Sequence, residues 1–131
     1  MANLLMLVVV AQFYFAAAGA VSTAPDDESY RPHHALGYVI FSLPVVMAVV
    51  AAVARMPRPL IGMSALVAGL DSVQVVIAEL AKGPGDTAGP LIFGLHAVNG
   101  LAIAAVAGMI VRQARTLSRS TAEPDVTQPA N

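Results

Sequence analysis

The sequence predicts an all-α fold, a transmembrane bundle of four helices that run up-down-up-down with both termini cytoplasmic. Hydrophobic residues make up 57% of the 131 residues and charged residues only 11%, and the mean hydropathy is +0.73. These values are typical of a membrane-embedded chain and not of a soluble domain. Four separate apolar runs are each long enough to cross the hydrocarbon core, which requires a helix of about 20 residues.

The four predicted helices form one transmembrane domain over residues 1–115. They span about residues 3–23, 34–55, 60–81 and 90–112. The connections TAPDDESYRP, RMPRP and KGPGDTAGP contain proline or glycine, which end helices. After Ile110 the apolar pattern stops, and residues 116–131 are expected to be a flexible C-terminal tail.

The first apolar run has an alternative interpretation as a cleaved signal peptide, because AAAGA offers the small residues of a cleavage site. No Lys or Arg precedes this run, however, and Gln12 interrupts it. The interpretation as a first transmembrane helix is therefore favoured.

The distribution of basic residues predicts the orientation, since cytoplasmic flanks carry the excess of Lys and Arg. Arg55 and Arg58 lie in the second connection, and Arg112, Arg115 and Arg119 follow the fourth helix. The first and third connections have one basic residue each, beside four acidic residues in the two connections together. Both termini are therefore expected in the cytoplasm, with the first and third connections outside.

The composition excludes cysteine chemistry and argues against nucleic acid as a partner. The chain has no cysteine, so disulfides, thiolate metal sites, iron–sulfur clusters and covalent c-type haem attachment cannot form. The net charge is −1 and the sequence has no extended basic patch, so nucleic acid is not expected as a partner.

The three histidines suggest a site near the outer face. His33 and His34 open the second predicted helix, and His96 lies about six residues into the fourth, roughly 9 Å from its start. Both helices run inward from the outer side, so His34 and His96 are expected to lie at a similar depth. His33 is about 100° around the helix from His34 and is interpreted as an interfacial side chain.

Several neighbouring residues are expected to line this site. Positions three and four apart share a helix face, which places Gly37 beside His34, and Asn99 and Gly100 beside His96. Polar side chains in hydrocarbon need partners, so Gln12 and Gln74 are expected to face the same layer, as contacts to a cofactor or as hydrogen bonds between helices. Asp71 is expected to be protonated and bonded to Gln74, with proton or cation transport as the alternative.

The motifs HHALG, LDSVQVVIAEL and LHAVNGLAI resemble a family of small four-helix bacterial membrane proteins of unassigned function. The layout also resembles one half of haem A synthase, in which the second and fourth helices of a four-helix bundle each give an axial histidine. This resemblance implies a b-type haem with His34 and His96 as its axial metal ligands. The chain has one bundle and lacks the glutamate near that histidine, so haem binding is implied more strongly than haem modification.

The expected function is therefore a bis-histidine haem protein of the bacterial inner membrane, an electron relay or a redox or haem accessory subunit, with no assigned catalytic residue. Two neutral imidazoles leave six-coordinate iron no open position, and Arg31 is expected to pair with a haem propionate. The alternatives are a cofactor-free accessory subunit of a larger membrane complex, a quinone site at His96, Gln74 and Asn99, and a small transporter. Besides the lipid bilayer, other membrane subunits or further copies of the chain are the expected partners.

Overall fold

The computed structural model describes residues 1–83 and 85–122, and this part of the chain is entirely helical apart from its connections. Its helices are α1 (Ala2–Ala20), α2 (Asp26–Ser29), α3 (Arg31–Val53), α4 (Arg58–Ala81) and α5 (Gly85–Ala122). The prediction of an all-α fold is confirmed. The short α2 in the first connection was not predicted from the sequence.

The four long helices form a ring. Helix α1 packs against α3 and α5, and α4 packs against the same two helices. Within the described residues the backbones of α1 and α4 do not approach each other, and neither do those of α3 and α5. Helices α3 and α5 are therefore diagonal partners, and their side chains can meet across the interior.

All four long helices are long and apolar enough to cross a membrane. The shortest, α1, has 19 residues and therefore extends about 28 Å, close to the thickness of the hydrocarbon core. Large apolar side chains remain exposed along every long helix, for example Leu7, Val53, Val75 and Leu101. Such exposed surfaces suit a lipid bilayer environment.

The packed core lies between the long helices and contains mostly aliphatic side chains. Leu5, Val67, Ala107 and Ile110 are fully buried. Buried Ser64 donates a hydrogen bond to the Leu60 carbonyl one turn earlier, at 2.9 Å, so its hydroxyl is satisfied within α4. In lipid the hydrophobic effect does not drive helices together, because the surrounding acyl chains are as apolar as the core. Close van der Waals packing of this kind holds the helices together instead.

The turn between α3 and α4 is closed by backbone hydrogen bonds. Arg55 has φ 53°, the left-handed conformation, and is the one non-glycine residue with positive φ in the described chain. The Met56 N–H donates to Ala51 and the Arg55 N–H to Ala52, the bonding pattern that closes many helix C-termini. Two prolines, one on either side of Arg58, then begin α4.

The first connection holds the start of α3 against the end of α1. The ring of Tyr30 lies so close to Gly19 that a Cβ there would come within 2.9 Å of it. Only glycine permits this approach. The contact fixes where α3 begins, three residues earlier than the sequence predicted.

Helix α5 continues past the predicted boundary to Ala122. Residues 116–122, which the sequence assigned to the flexible tail, are therefore helical. The rest of the predicted tail, residues 123–131, lies outside the described residues.

Candidate functional site

All four long helices contribute to one polar layer, here called the histidine layer. It comprises Gln12 of α1, His33 of α3, Gln74 of α4, and His96 and Asn99 of α5. These side chains bond to one another or to the helix backbones around them. Polar groups in an apolar bundle need such partners.

His33 is held by Gln12. Its Nδ1 atom lies 3.3 Å from the Gln12 backbone carbonyl oxygen. Since a carbonyl oxygen only accepts, Nδ1 carries the hydrogen and donates it. In the neutral ring the Nε2 atom is then an acceptor, and the side-chain Nε2 of Gln12 lies 3.4 Å from it as a donor.

His96 is held in the same way by α4. Its Nδ1 atom donates to the backbone carbonyl oxygen of Gln74 at 3.2 Å. The ring stacks on Phe93, one turn earlier in α5, with centroids 5.0 Å apart and planes inclined by 8°. Within the described residues its Nε2 atom has no hydrogen bond, so this nitrogen retains a free lone pair.

The rings of His33 and His96 meet across the bundle. Their centroids are 6.1 Å apart, and their planes are inclined by 46°. The two rings come from the diagonal helices α3 and α5, and each is anchored to a helix lying between them. The arrangement places two oriented imidazoles at one interior point.

The sequence expected His34 to lie beside His96, but in the structure the ring of His33 lies there. His34 is exposed, and its ring lies 6.4 Å from Tyr30 and 6.0 Å from His33. The reason is the helix phase: His33 is seven residues before buried Ile40, whereas His34 shares its face with Tyr38, which is 79% exposed. The spacing of His33 to Ile40 and Met47, both buried, was a signal of this phase in the sequence.

Asn99 and Gln74 link α5 to α4. The Asn99 Nδ2 atom donates to the Gln74 Oε1 atom at 2.7 Å and to the Leu70 carbonyl at 2.8 Å. The bond expected between Asp71 and Gln74 is absent, because the Gln74 amide points to α5 instead. Asp71 is only 9% exposed and has no hydrogen bond within the described residues.

The two predicted site glycines lie beside the glutamines. A Cβ at Gly37 would lie 3.8 Å from Gln12 Nε2, and one at Gly100 would lie 3.5 Å from both Gln74 Nε2 and the Phe13 ring. These are ordinary contact distances, so the space next to each glycine is already occupied by a side chain. Arg31, at the first position of α3, is exposed and forms no ion pair within the described residues.

One fully buried oxygen of the layer has no hydrogen-bond partner among the described residues. The Gln12 Oε1 atom is buried and accepts no hydrogen bond from any described residue. Its amide nitrogen is directed to His33, and rotating the amide would bring two acceptors together. The unpaired oxygen follows from the neutral state of the His33 ring.

The histidine layer offers few donors for a metal ion. Among the described residues no group of three or more His, Cys, Asp or Glu side chains is placed to hold a metal ion. His33 and His96 can offer two nitrogens. A metal that needs more than two ligands would have to be part of a cofactor that supplies the others.

A family model described as a family of unknown function, DUF6220, matches residues 12–82, more than half of the chain. The chain belongs to this family. No curated protein and no solved structure matches the sequence significantly. The DUF6220 segment contains Gln12, His33 and Gln74 but ends before His96, so the matched region includes three helices of the histidine layer and not the fourth.

Proposed function

We propose that this DUF6220 protein is an integral membrane b-type haem protein with His33 and His96 as axial ligands, and that it serves as an electron relay or a redox accessory subunit. The observation that carries the proposal is the pair of imidazoles on diagonal helices, each with Nδ1 bonded to a backbone carbonyl. Histidines that bind metals commonly donate their second nitrogen in this way, which fixes the ring and its tautomer.

The donor chemistry fits a haem better than a free metal ion. Two imidazoles without a third protein ligand suit a cofactor that supplies four nitrogens of its own. The two imidazoles would hold the iron of such a cofactor from two different helices. The rings of His33 and His96 are 6.1 Å apart.

A haem bound by two histidines supplies reversible one-electron chemistry without an open coordination position. The protein's own backbone carbonyls at Gln12 and Gln74 would orient the two imidazoles. Ligation through His33 Nε2 would remove the acceptor of the Gln12 amide, which then becomes available for another partner. Arg31, two residues before His33 and exposed, is available for a propionate.

In the quinone alternative, the side chains of His96, Gln74 and Asn99 would bind the carbonyls, but the Asn99 amide is not free to do so. Both protons of the Asn99 amide are engaged, by Gln74 and by Leu70. Gln74 and Asn99 therefore act as a link between helices in this proposal.

The proposed location is the bacterial inner membrane, with the histidine layer in the outer half. Residues Met1 and Ala2 lie beside both the last turns of α5 and the turn between α3 and α4, which supports helices of alternating direction. The basic residues cluster at this end. They are Arg55, Arg58, Arg112, Arg115 and Arg119. The positive-inside rule makes it the cytoplasmic end.

The test is the visible spectrum of the purified protein before and after dithionite reduction. The wild-type protein, expressed with haem supplementation, is expected to give a sharp b-type α band on reduction. His33→Ala and His96→Ala should each lose this six-coordinate spectrum, because each removes one axial ligand.

His34→Ala is the matched control, since it removes a neighbouring imidazole that does not face His96. It should keep the wild-type spectrum. A colourless wild-type protein would reject haem binding. Loss of the band in His34→Ala but not in His33→Ala would reject the assignment of His33.

A further inference from the structure

A cavity lies at the end of the bundle opposite the histidine layer. It has a volume of about 390 Å³ and is formed by the beginning of α1 and the last turns of α5. Its lining residues are Met1, Ala2, Asn3, Val111, Ala114, Arg115, Ser118 and Arg119.

The cavity is basic. Arg115 and Arg119 are four residues apart, so they lie on one face of α5, and Ser118 adds a hydroxyl beside them. No carboxylate is among the lining residues, and neither arginine forms an ion pair within the described chain. The first N–H groups of α1 have no acceptor in their own helix, and Ala2 and Asn3 border the same space. These features favour an anion.

A second, apolar cavity adjoins the first. It has a volume of about 200 Å³ and shares Met1, Ala2 and Ala114 with the basic cavity. The rest of its lining consists entirely of apolar residues, Met47, Val50, Ala51, Met56 and Leu60. The two cavities thus share a wall, and the space that they make up together has basic residues at one end and apolar residues at the other.

We propose that this space binds one anionic phospholipid, with its phosphate at Arg115 and Arg119 and the beginning of an acyl chain in the apolar cavity. An amphiphile is the one occupant that uses both ends. Inorganic phosphate would leave the apolar part empty, and a lipid without net charge would bring no net negative charge to the two arginines. Basic pockets at the cytoplasmic ends of membrane helices favour anionic headgroups for the same reason.

The experiment measures lipid binding to the full-length protein in neutral detergent by native mass spectrometry, with thermal unfolding as a second readout. The probes are phosphatidylglycerol, phosphatidylcholine and inorganic phosphate. Phosphatidylglycerol is expected to bind and to raise the melting temperature, whereas the other two should not. The double variant Arg115→Gln, Arg119→Gln should bind it more weakly, by roughly fivefold for each arginine.

Arg112→Gln is the matched control, because Arg112 lies on the same helix but outside the cavity. It should bind phosphatidylglycerol as the wild type does. Ala114→Phe keeps both arginines and fills the shared wall between the cavities, so it should weaken lipid binding.

Three results would overturn the proposal. Equal binding of phosphatidylcholine would remove the role of the headgroup charge. Equal loss in Arg112→Gln would indicate a general surface charge effect. Stabilisation by inorganic phosphate alone, unaffected by Ala114→Phe, would identify a free-anion site instead of a lipid site. Each result is independent of the haem spectra.

Discussion

The Nδ1 hydrogen bonds of His33 and His96 fix the tautomer of each imidazole as well as its position. A neutral imidazole has one donor and one acceptor nitrogen, and a carbonyl partner selects Nδ1 as the donor. Both rings therefore direct a lone pair from Nε2. Without the backbone carbonyls of Gln12 and Gln74 as acceptors, either ring could carry its hydrogen on Nε2 instead of Nδ1. The two Nε2 lone pairs would then be lost.

Asn99 is the residue whose removal should loosen the layer most directly. Asn99→Ala deletes both hydrogen bonds from α5 to α4 and is expected to lower the free energy of unfolding by about 1 kcal/mol, the usual scale for such bonds in membranes. Unfolding in mixed micelles with increasing dodecyl sulfate measures this change.

Ser72→Ala provides the control for Asn99→Ala. The Ser72 hydroxyl bonds only to the Ala68 carbonyl of its own helix, at 3.0 Å, so no contact between helices is lost. It should change the unfolding free energy by much less. Equal losses in the two variants would contradict the assignment of Asn99 as a link between helices.

At the scale of the element, the phase of α3 determines which histidine enters the interior. The buried positions Ile40, Pro44, Met47 and Ala51 define a stripe with alternating steps of four and three residues, and His33 continues this stripe toward the N-terminus. Shifting α3 by one residue would rotate it by about 100°. Packing of the stripe against α1 and α4 therefore selects His33.

The end of α3 is a second feature at this scale, because Arg55 adopts a conformation that favours glycine. Arg55→Gly should raise the free energy of unfolding by about 1 kcal/mol, since a side chain in the left-handed region costs about that much. The same denaturation in mixed micelles measures it.

Arg58→Gly is the control for Arg55→Gly. It removes one positive charge three residues away, at a position without positive φ. It should give no stabilisation, and glycine at the first position of α4 should lower stability slightly. A gain of the same size in both variants would attribute the effect to charge instead of backbone strain.

For the whole molecule, the two ends of the bundle differ in chemistry. One end contains the histidine layer and the acidic first connection, and the other contains five of the six arginines and the apolar cavity. If the basic end is cytoplasmic, a cysteine at exposed Thr23 should react with an impermeant maleimide added to intact cells. One at exposed Met56 should react only after the membrane is opened.

This labelling has no background within the chain, which contains no cysteine. Labelling of Met56→Cys in intact cells, together with protection of Thr23→Cys, would reverse the proposed orientation. Labelling of both from outside would contradict helices of alternating direction.

The sequence by itself determined the number of long helices, their apolar character and the polar residues that they share. Each of these depends on composition and on local breakers such as Pro57 and Gly83, which act within a few residues. It also placed the boundaries of α3 and α4 within three residues. The contact of Tyr30 with Gly19, which sets the start of α3, joins different elements and has no local signal.

Only the tertiary structure decided which polar residues meet. The rotation of neighbouring helices decides three features. It brings His33 rather than His34 to His96, it bonds Gln74 to Asn99 rather than to Asp71, and it forms the adjoining cavities beside Ala114. A rotation of one residue step moves a side chain by about 100°, and that angle is fixed by packing against other helices. For this reason the sequence expected His34 beside His96, whereas the structure has the ring of His33 there.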